Sequence, residues 1–264
     1  MKKSLILALA VILLAAAPAP RPLKLATTTS AQSSGILDYL LPMFEVKNNV
    51  KVQVIAEGTG KAIKTAQDGN ADVILVHVVL LEEKFVADGY GVRRVPIMQN
   101  DFIIVGPASD PAGVKSAKGA VAAFQAIKAK GVFISRGDQS GTHVKELAIW
   151  AKAGGVPAAP SRLEIGQGME QALRMADEKP AYTLTDRATY LALRKSLKLV
   201  PLSSGDPLYA NPYSIIAVNP AKYPSVNNQD AQALVDWLSG PEGQKAIAAF
   251  AIDGEHPFTP IAGK

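Results

Sequence analysis

Serine, threonine and glycine recur in one setting along this chain. The segments LATTTSAQSSGILDYLLPMF, VIAEGTGKAIKTAQDG and FISRGDQSGTHVKELAIWAK each pass from a β-rich run, through small hydroxyl and glycine residues, into a helical stretch. EIGQGMEQALRMADE has the same layout without hydroxyls. The first turn of a helix leaves N–H groups unpaired and carries partial positive charge, so each junction can hold an anion. Glycine lets backbone approach a ligand closely, and Ser or Thr adds an O–H donor beside the N–H groups. Any one such junction is equally an ordinary capped helix. Three donor-rich junctions in one chain point instead to a shared site. Arg136 sharpens that reading, because it lies among Ser135, Ser140 and Thr142 in the third loop. A guanidinium offers a planar fork of donors for two oxygens of one anion. Its competing partner is Asp138, two residues on.

Enzyme motifs are absent or broken. GTGK at Gly58 to Lys61 lacks the earlier glycine of a P-loop, and Ala62 stands where Ser or Thr is needed. In GDQSG the serine falls one place late for a nucleophile elbow. His77, His143 and His256 are the only histidines, none at a metal-ligand spacing from another, and there is no cysteine. An exported hydrolase using Ser140 or Thr142 with His143 is a distant alternative, since neighbours at a helix start rarely aim side chains at each other. The sequence therefore reads as a binding protein with no cofactor.

The elements that must position these loops alternate between strand and helix, which predicts α/β layers and mostly parallel sheets. Candidate strands are LKLAT, VKVQVIA, ADVILVHV, DFIIVG, GVFIS, PAYTLT, LKLVPL and YSIIAV. Helical spacing links Leu37, Leu40, Leu41 and Phe44; Val144, Leu147, Ala148 and Ala151; Met169, Ala172, Leu173 and Ala176; and Ala231, Leu234, Val235 and Leu238. Each set is expected to line a core-facing helix side. Pro42 predicts a kink or an early helix end. No Ser/Gly linker interrupts the pattern around Phe102 or Tyr213, which favours two lobes joined by strands over two domains in series.

Met1-Lys2-Lys3, the apolar run SLILALAVILLAAA and the small residues of AAAPAP form the three-part layout of a secretory signal, with a cut expected between Ala17 and Arg21. The run is shorter than the roughly 20 apolar residues of a spanning helix. The chain has no cysteine for a disulfide or a lipid anchor, so a free periplasmic protein is expected. Without Lys2 and Lys3 the charge balance is 26 basic against 23 acidic residues, a mild excess compatible with an anionic ligand. It is far from a nucleic-acid footprint, and no basic run with interleaved aromatics occurs.

TTTS at Thr27 to Ser30, GTG at Gly58 to Gly60, ADVILVH, NDFIIVGPASDPAG and SRGDQSGTHVKELAIW resemble the periplasmic tungstate-binding proteins of ABC importers. So do GQGMEQALRMADEKPAYTLTDRATYLAL, NPYSIIAVNP and DWLSGPEGQKAI, in the same order over nearly all of the chain after the signal. The resemblance implies a type II periplasmic binding fold, two α/β lobes joined by two crossing strands with the ligand cleft between them. Residues 1–20 would be the signal, 21–103 and 213–264 lobe one, and 104–212 lobe two. Carried over by motif, the ligand-binding residues would be Thr28, Thr29, Ser30, Thr59, Gly60, Arg136, Ser140, Gly141 and Thr142, with Gly168 and Thr183 from the following loops. Tungstate or molybdate would be the ligand, held without a metal partner, and sulfate or phosphate the alternatives. The implied partners are an importer permease with its ATPase subunit, and the implied state is a monomer. VHVVLLEEKF departs from the family's usual small, prolyl or polar residues at Val78 to Leu81, and NNV at Asn48 to Val50 from its usual glycine-containing turn; neither touches the donor motifs.

Overall fold

The structure, a computed structural model, describes residues 19–263. The expected signal segment, save for Ala19 and Pro20, lies outside the described residues. No helix among those described is long and apolar enough to cross a membrane.

The chain begins with β1 (Arg21–Thr28), α1 (Thr29–Ser33), α2 (Ile36–Asn48), β2 (Val50–Glu57), α3 (Thr59–Gln67), β3 (Val73–Val76), α4 (Val79–Ala87) and the long strand β4 (Val95–Gly106). There follow α5 (Ala120–Lys130), β5 (Phe133–Ser135), α6 (Gly141–Lys152), β6 (Arg162–Glu164), α7 (Met169–Glu178), β7 (Tyr182–Asp186), α8 (Arg187–Leu193) and β8 (Val200–Ser203). It returns through β9 (Ala210–Ala217) and closes with α9 (Asn228–Ser239), α10 (Pro241–Ala249) and the short β10 (Thr259–Pro260).

The strands run in the order β2-β1-β3-β9-β4-β7-β5-β6. Pairing is parallel between β1 and its neighbours β2 and β3, and between β5 and its neighbours β6 and β7. Among the described strands only β4 belongs to both halves: Val95 to Asp101 pair with β9, and Phe102 to Val105 pair with β7. The pattern of β4 shows how one strand serves two helix layers. Phe102 and Ile104 face a core with α5 and α6, while Ile103 and Val105 face a core with α7 and α8. In the other half, Leu23 and Leu25 meet α2, α9 and α10, and Ala26 meets α3 and α4. This period of two is what a sheet covered on both faces requires. The fold is the expected two α/β layers-and-sheet halves, joined by β4 and by the return from β8 to β9.

Three sequence expectations need correction. The sheets were expected to be mostly parallel, but β9 pairs antiparallel with β3 and β4, and β4 pairs antiparallel with β7, β8 and β10, because the strands that pass between the halves run against the strands of each α/β unit. α2 runs through Pro42 without ending. Pro42 sits on the exposed side, so water can take the Asp38 carbonyl that it leaves unpaired, while Leu37, Leu40, Leu41 and Phe44 stay buried. On α6 the expected core face is exposed: Val144 is 40% and Leu147 38% accessible. The buried face carries His143 and Glu146, held in a polar network, together with Ile149 and Trp150, which pack in the core, so half of this face has no apolar signal. β6 and β10 had no sequence signal, being three and two residues long.

Candidate functional site

Four helix starts follow the carboxyl ends of parallel strands, where open α/β sheets place their ligand crevice. Thr28 caps α1, its Oγ1 accepting from the Ala31 N–H at 3.2 Å. Gly58 caps α3 and Gly168 caps α7, neither with a side-chain bond. Ser140 caps α6, its Oγ accepting from the His143 N–H at 3.3 Å. The position of α6 depends on its aromatic core: Trp150 meets Phe124 and Phe133 with centroids 4.5 and 5.4 Å apart, contacts worth about 0.5–1.5 kcal/mol each beyond area burial.

The arginine loop is held from below and reaches across to the other half. The backbone N–H of Gly166 donates to the Arg136 carbonyl at 2.8 Å, and that of Ile165 donates to the Ser135 carbonyl at 3.1 Å. Gly137 has φ +61° and would place a Cβ 2.7 Å from the Glu164 Cβ, so both the turn and the space demand glycine. Buried Arg136 then donates Nη2–H to Asp138 Oδ2 at 2.5 Å and to Thr29 Oγ1 at 3.4 Å, and Nε–H to the Gln167 carbonyl at 3.3 Å. Both partners foreseen for Arg136, the nearby carboxylate and the hydroxyl loop, are therefore present. Asp138 Oδ1 accepts from the Ser140 N–H at 3.1 Å, which fixes the carboxylate at the foot of α6.

His77, just after β3, completes the contact between halves. Its ring lies where a Cβ on Gly141 would have to be, so only glycine permits this approach. Nδ1–H donates to Asn211 Oδ1 at 2.8 Å, and Nε2 stands 3.5 Å from Ser30 Oγ, itself 3.1 Å from Thr28 Oγ1. Burial pulls the imidazole pKa down to about 4, the bond to Asn211 opposing this and the Arg136 charge adding to it. The ring is neutral at neutral pH.

Two hydroxyls carry the clearest chemical message. Thr59, at the start of α3, is completely buried, and Thr142, at the start of α6, nearly so; Oγ1 of each has no hydrogen-bond partner among the described residues. A buried unpaired hydroxyl costs about 1–3 kcal/mol, so two of them at helix starts suit an acceptor ligand. Gly58, which precedes Thr59, lines a cavity of about 170 Å³ together with Thr29, Lys61, Arg136, Asp138, Gly166, Gln167 and Gly168. It shares Gly58, Lys61 and Asp138 with a wider one of about 450 Å³ that also meets Gly60, Lys64, Gly137 and Gln139. Among the described residues, no group of three or more His, Asp or Glu could hold a metal ion.

A buried network of Glu146, Ser135, Arg162 and Trp150 keeps the arginine loop in place. Glu146 Oε2 accepts from Ser135 Oγ at 2.6 Å, and its Oε1 accepts from Arg162 Nε at 2.7 Å and from Trp150 Nε1 at 3.1 Å. Burial pushes the Glu146 carboxyl up, opposed by Ser135 and Arg162. From His77 a chain of amides leads to the joining strands: Asn211 Nδ2–H donates to Asn100 Oδ1 at 2.7 Å, and Asn100 Nδ2–H stands 3.4 Å from Asp186 Oδ1.

Of the residues singled out in the sequence, Thr29, Gly60, Arg136 and Gly168 line the two cavities, while Ser30, with Thr28 behind it, and Gly141 approach His77. Thr59, Ser140 and Thr142 stand at the starts of α3 and α6 next to these residues in the chain. Thr183 Oγ1–H donates to the Ile134 carbonyl at 2.8 Å inside the sheet, and like Thr59 and Thr142 it lines neither cavity. The side chains of Ser140 and His143 do not pair: Ser140 Oγ takes the His143 main-chain N–H, and His143 Nδ1 accepts from Gln139 N–H at 3.1 Å. Sequence reasoning missed His77, Lys61, Gly166 and Gln167. His77 had a usable signal, its place at the carboxyl end of ADVILVH, and Lys61 was inside the GTGK dismissed as a broken P-loop.

The PBP superfamily domain matches residues 15–242 of the chain. The tungstate-binding protein TupA of Peptoclostridium acidaminophilum is 44% identical, over 90% of this chain and 85% of that protein. The tungstate ABC transporter structure from Geobacter sulfurreducens superposes with a TM-score of 0.82 at 52% identity, covering 87% of this chain and 98% of that one. The tungstate-binding protein TupA from Desulfovibrio alaskensis G20 superposes with a TM-score of 0.80 at 41% identity, covering 92% and 99%.

Proposed function

The chain belongs to the PBP superfamily, and from that premise we propose that it captures tungstate and delivers it to an ABC importer. The observation that carries this reading is the pair of buried, unpartnered hydroxyls of Thr59 and Thr142, at the starts of the two helices that follow the GTG and arginine loops. The site is rich in fixed donors: Thr28, Thr29 and Ser30 from α1, Thr59 and the first N–H groups of α3, and Ser140, Gly141 and Thr142 from α6. Charge-assisted hydrogen bonds contribute roughly 1.5–3 kcal/mol net each, so about six correspond to about 12 kcal/mol, the scale of a nanomolar site. Molybdate has the same charge and shape and is the natural competitor.

Hydrogen phosphate is the reading that Asp138 could favour, since a protonated oxyanion needs an acceptor. Its oxygens are instead engaged by the Arg136 guanidinium and the Ser140 N–H. A fully deprotonated dianion suits the remaining donors better. The halves act as lobes, residues 21–103 with 213–264 and residues 104–212, that close on the ligand. Residues 1–20 serve as a cleaved export signal, and the protein works as a periplasmic monomer beside a permease and its ATPase. Calorimetric titration with tungstate, molybdate, sulfate and phosphate tests the assignment. Tight one-to-one binding of tungstate with silent sulfate and phosphate is the expected result, and silence with all four anions overturns it.

A further inference from the structure

The charges around the cavity lead to a residue that no motif assigned. Its ionisable side chains are Lys61, Arg136 and Asp138. Arg136 and Asp138 are an ion pair at 2.5 Å, so together they bring no net charge to a ligand. Lys61 has no ion pair and no hydrogen bond among the described residues, and it lines both the cavity and its wider neighbour. It also sits in the first turn of α3, where the helix dipole disfavours a cation. Lys64, one turn further, differs: it is paired with Asp68 and lines only the wider space. An anion between α3 and the arginine loop offsets both the dipole and the missing counter-ion.

We propose that Lys61 supplies the uncompensated positive charge by which this cavity selects a doubly charged tetrahedral oxyanion over a singly charged one of the same shape. The inference rests on the oxyanion-capturing reading above. The helix N-termini and hydroxyls attract any tetrahedral oxyanion, and the Arg136–Asp138 pair adds orientation without net charge. Lys61 adds a term proportional to ligand charge, because Coulomb energy is linear in it. Removing that charge therefore has about twice the effect, in logarithmic units, on a dianion as on a monoanion.

The probes are tungstate and perrhenate, an isoelectronic tetrahedral monoanion, the latter measured by competition against tungstate in the full mature chain. Lys61→Gln is expected to weaken tungstate about 10-fold and perrhenate about 3-fold, narrowing the discrimination about 3-fold. Lys61→Arg should restore most of it, and Lys64→Gln should change either affinity less than 2-fold. Lys61 is exposed, so the fold tolerates these changes. Equal losses for both anions would show that Lys61 acts through shape or packing, and unchanged affinities would remove it from the site; each overturns the inference while tungstate capture stands. A wild-type chain that binds neither anion overturns the capture reading and this inference together.

Discussion

Replacing Thr59 by valine separates the two roles that a buried hydroxyl can have. The side chain is fully buried and its Oγ1 has no partner within the protein, so in the ligand-free chain the hydroxyl is a cost. Valine keeps the shape and the β-branch while removing the unpaired group. Relief of about 1–2 kcal/mol is expected, which for a domain of this size raises the melting temperature by about 2–8 °C. With tungstate present the sign reverses. A hydrogen bond to a charged acceptor contributes about 1.5–3 kcal/mol, so affinity should fall roughly 10- to 150-fold. Thermal unfolding with and without tungstate, joined to calorimetry, reads both effects on one sample. Thr59→Ser, which keeps the hydroxyl, should retain affinity at a small loss of stability. A valine variant that is less stable without ligand yet binds tungstate as before would refute the reasoning, because the hydroxyl would then be structural.

Arg136→Ala should weaken tungstate binding by about 2 kcal/mol or more, roughly 30-fold, by calorimetry; unchanged affinity in a folded variant would remove Arg136 from the site. Glu146→Ala removes the buried carboxylate shared by Arg162, Ser135 and Trp150 and leaves Arg162 only the half-exposed Glu164, a loss of about 3 kcal/mol that should appear as a melting temperature lower by about 6–12 °C. His77 has a folded pKa lowered from 6.5 to about 4, so the unfolded chain binds more protons between those values. Its contribution, up to about 3 kcal/mol, is complete above pH 6.5 and is lost as pH falls toward 4. His77→Gln should therefore show a flatter rise of stability over that window than the wild type, and parallel profiles would contradict the neutral assignment.

What could be read in advance divides along a physical line. The strand-to-helix junctions were legible because TTTS, GTG and SGT combine turn-forming glycine, capping hydroxyls and a following helical period within one segment. Arg136 was legible for the same reason, and so was the choice left open between an anion and Asp138. The buried face of α6 was not, because Glu146 looks like a solvent residue until Arg162 and Ser135 are brought beside it. Val144 and Leu147 kept the helical period and are exposed all the same. The partner of the Thr183 hydroxyl, a neighbouring strand's carbonyl, was beyond local pattern for the same reason. His77, Asn211 and Asn100 form one chain of hydrogen bonds from residues more than a hundred positions apart, which no local pattern encodes.

One tetrahedral oxyanion is expected where the starts of α1, α3 and α6 meet Arg136. Crystals of the mature chain grown with tungstate, measured at the tungsten absorption edge, give that location directly. A single strong anomalous peak should lie within hydrogen-bonding reach of the Thr59 and Thr142 hydroxyls and the Arg136 guanidinium. A peak confined to another cavity, such as the one of about 370 Å³ lined by Gln99, Arg187 and His256 beside the joining strands, would contradict it.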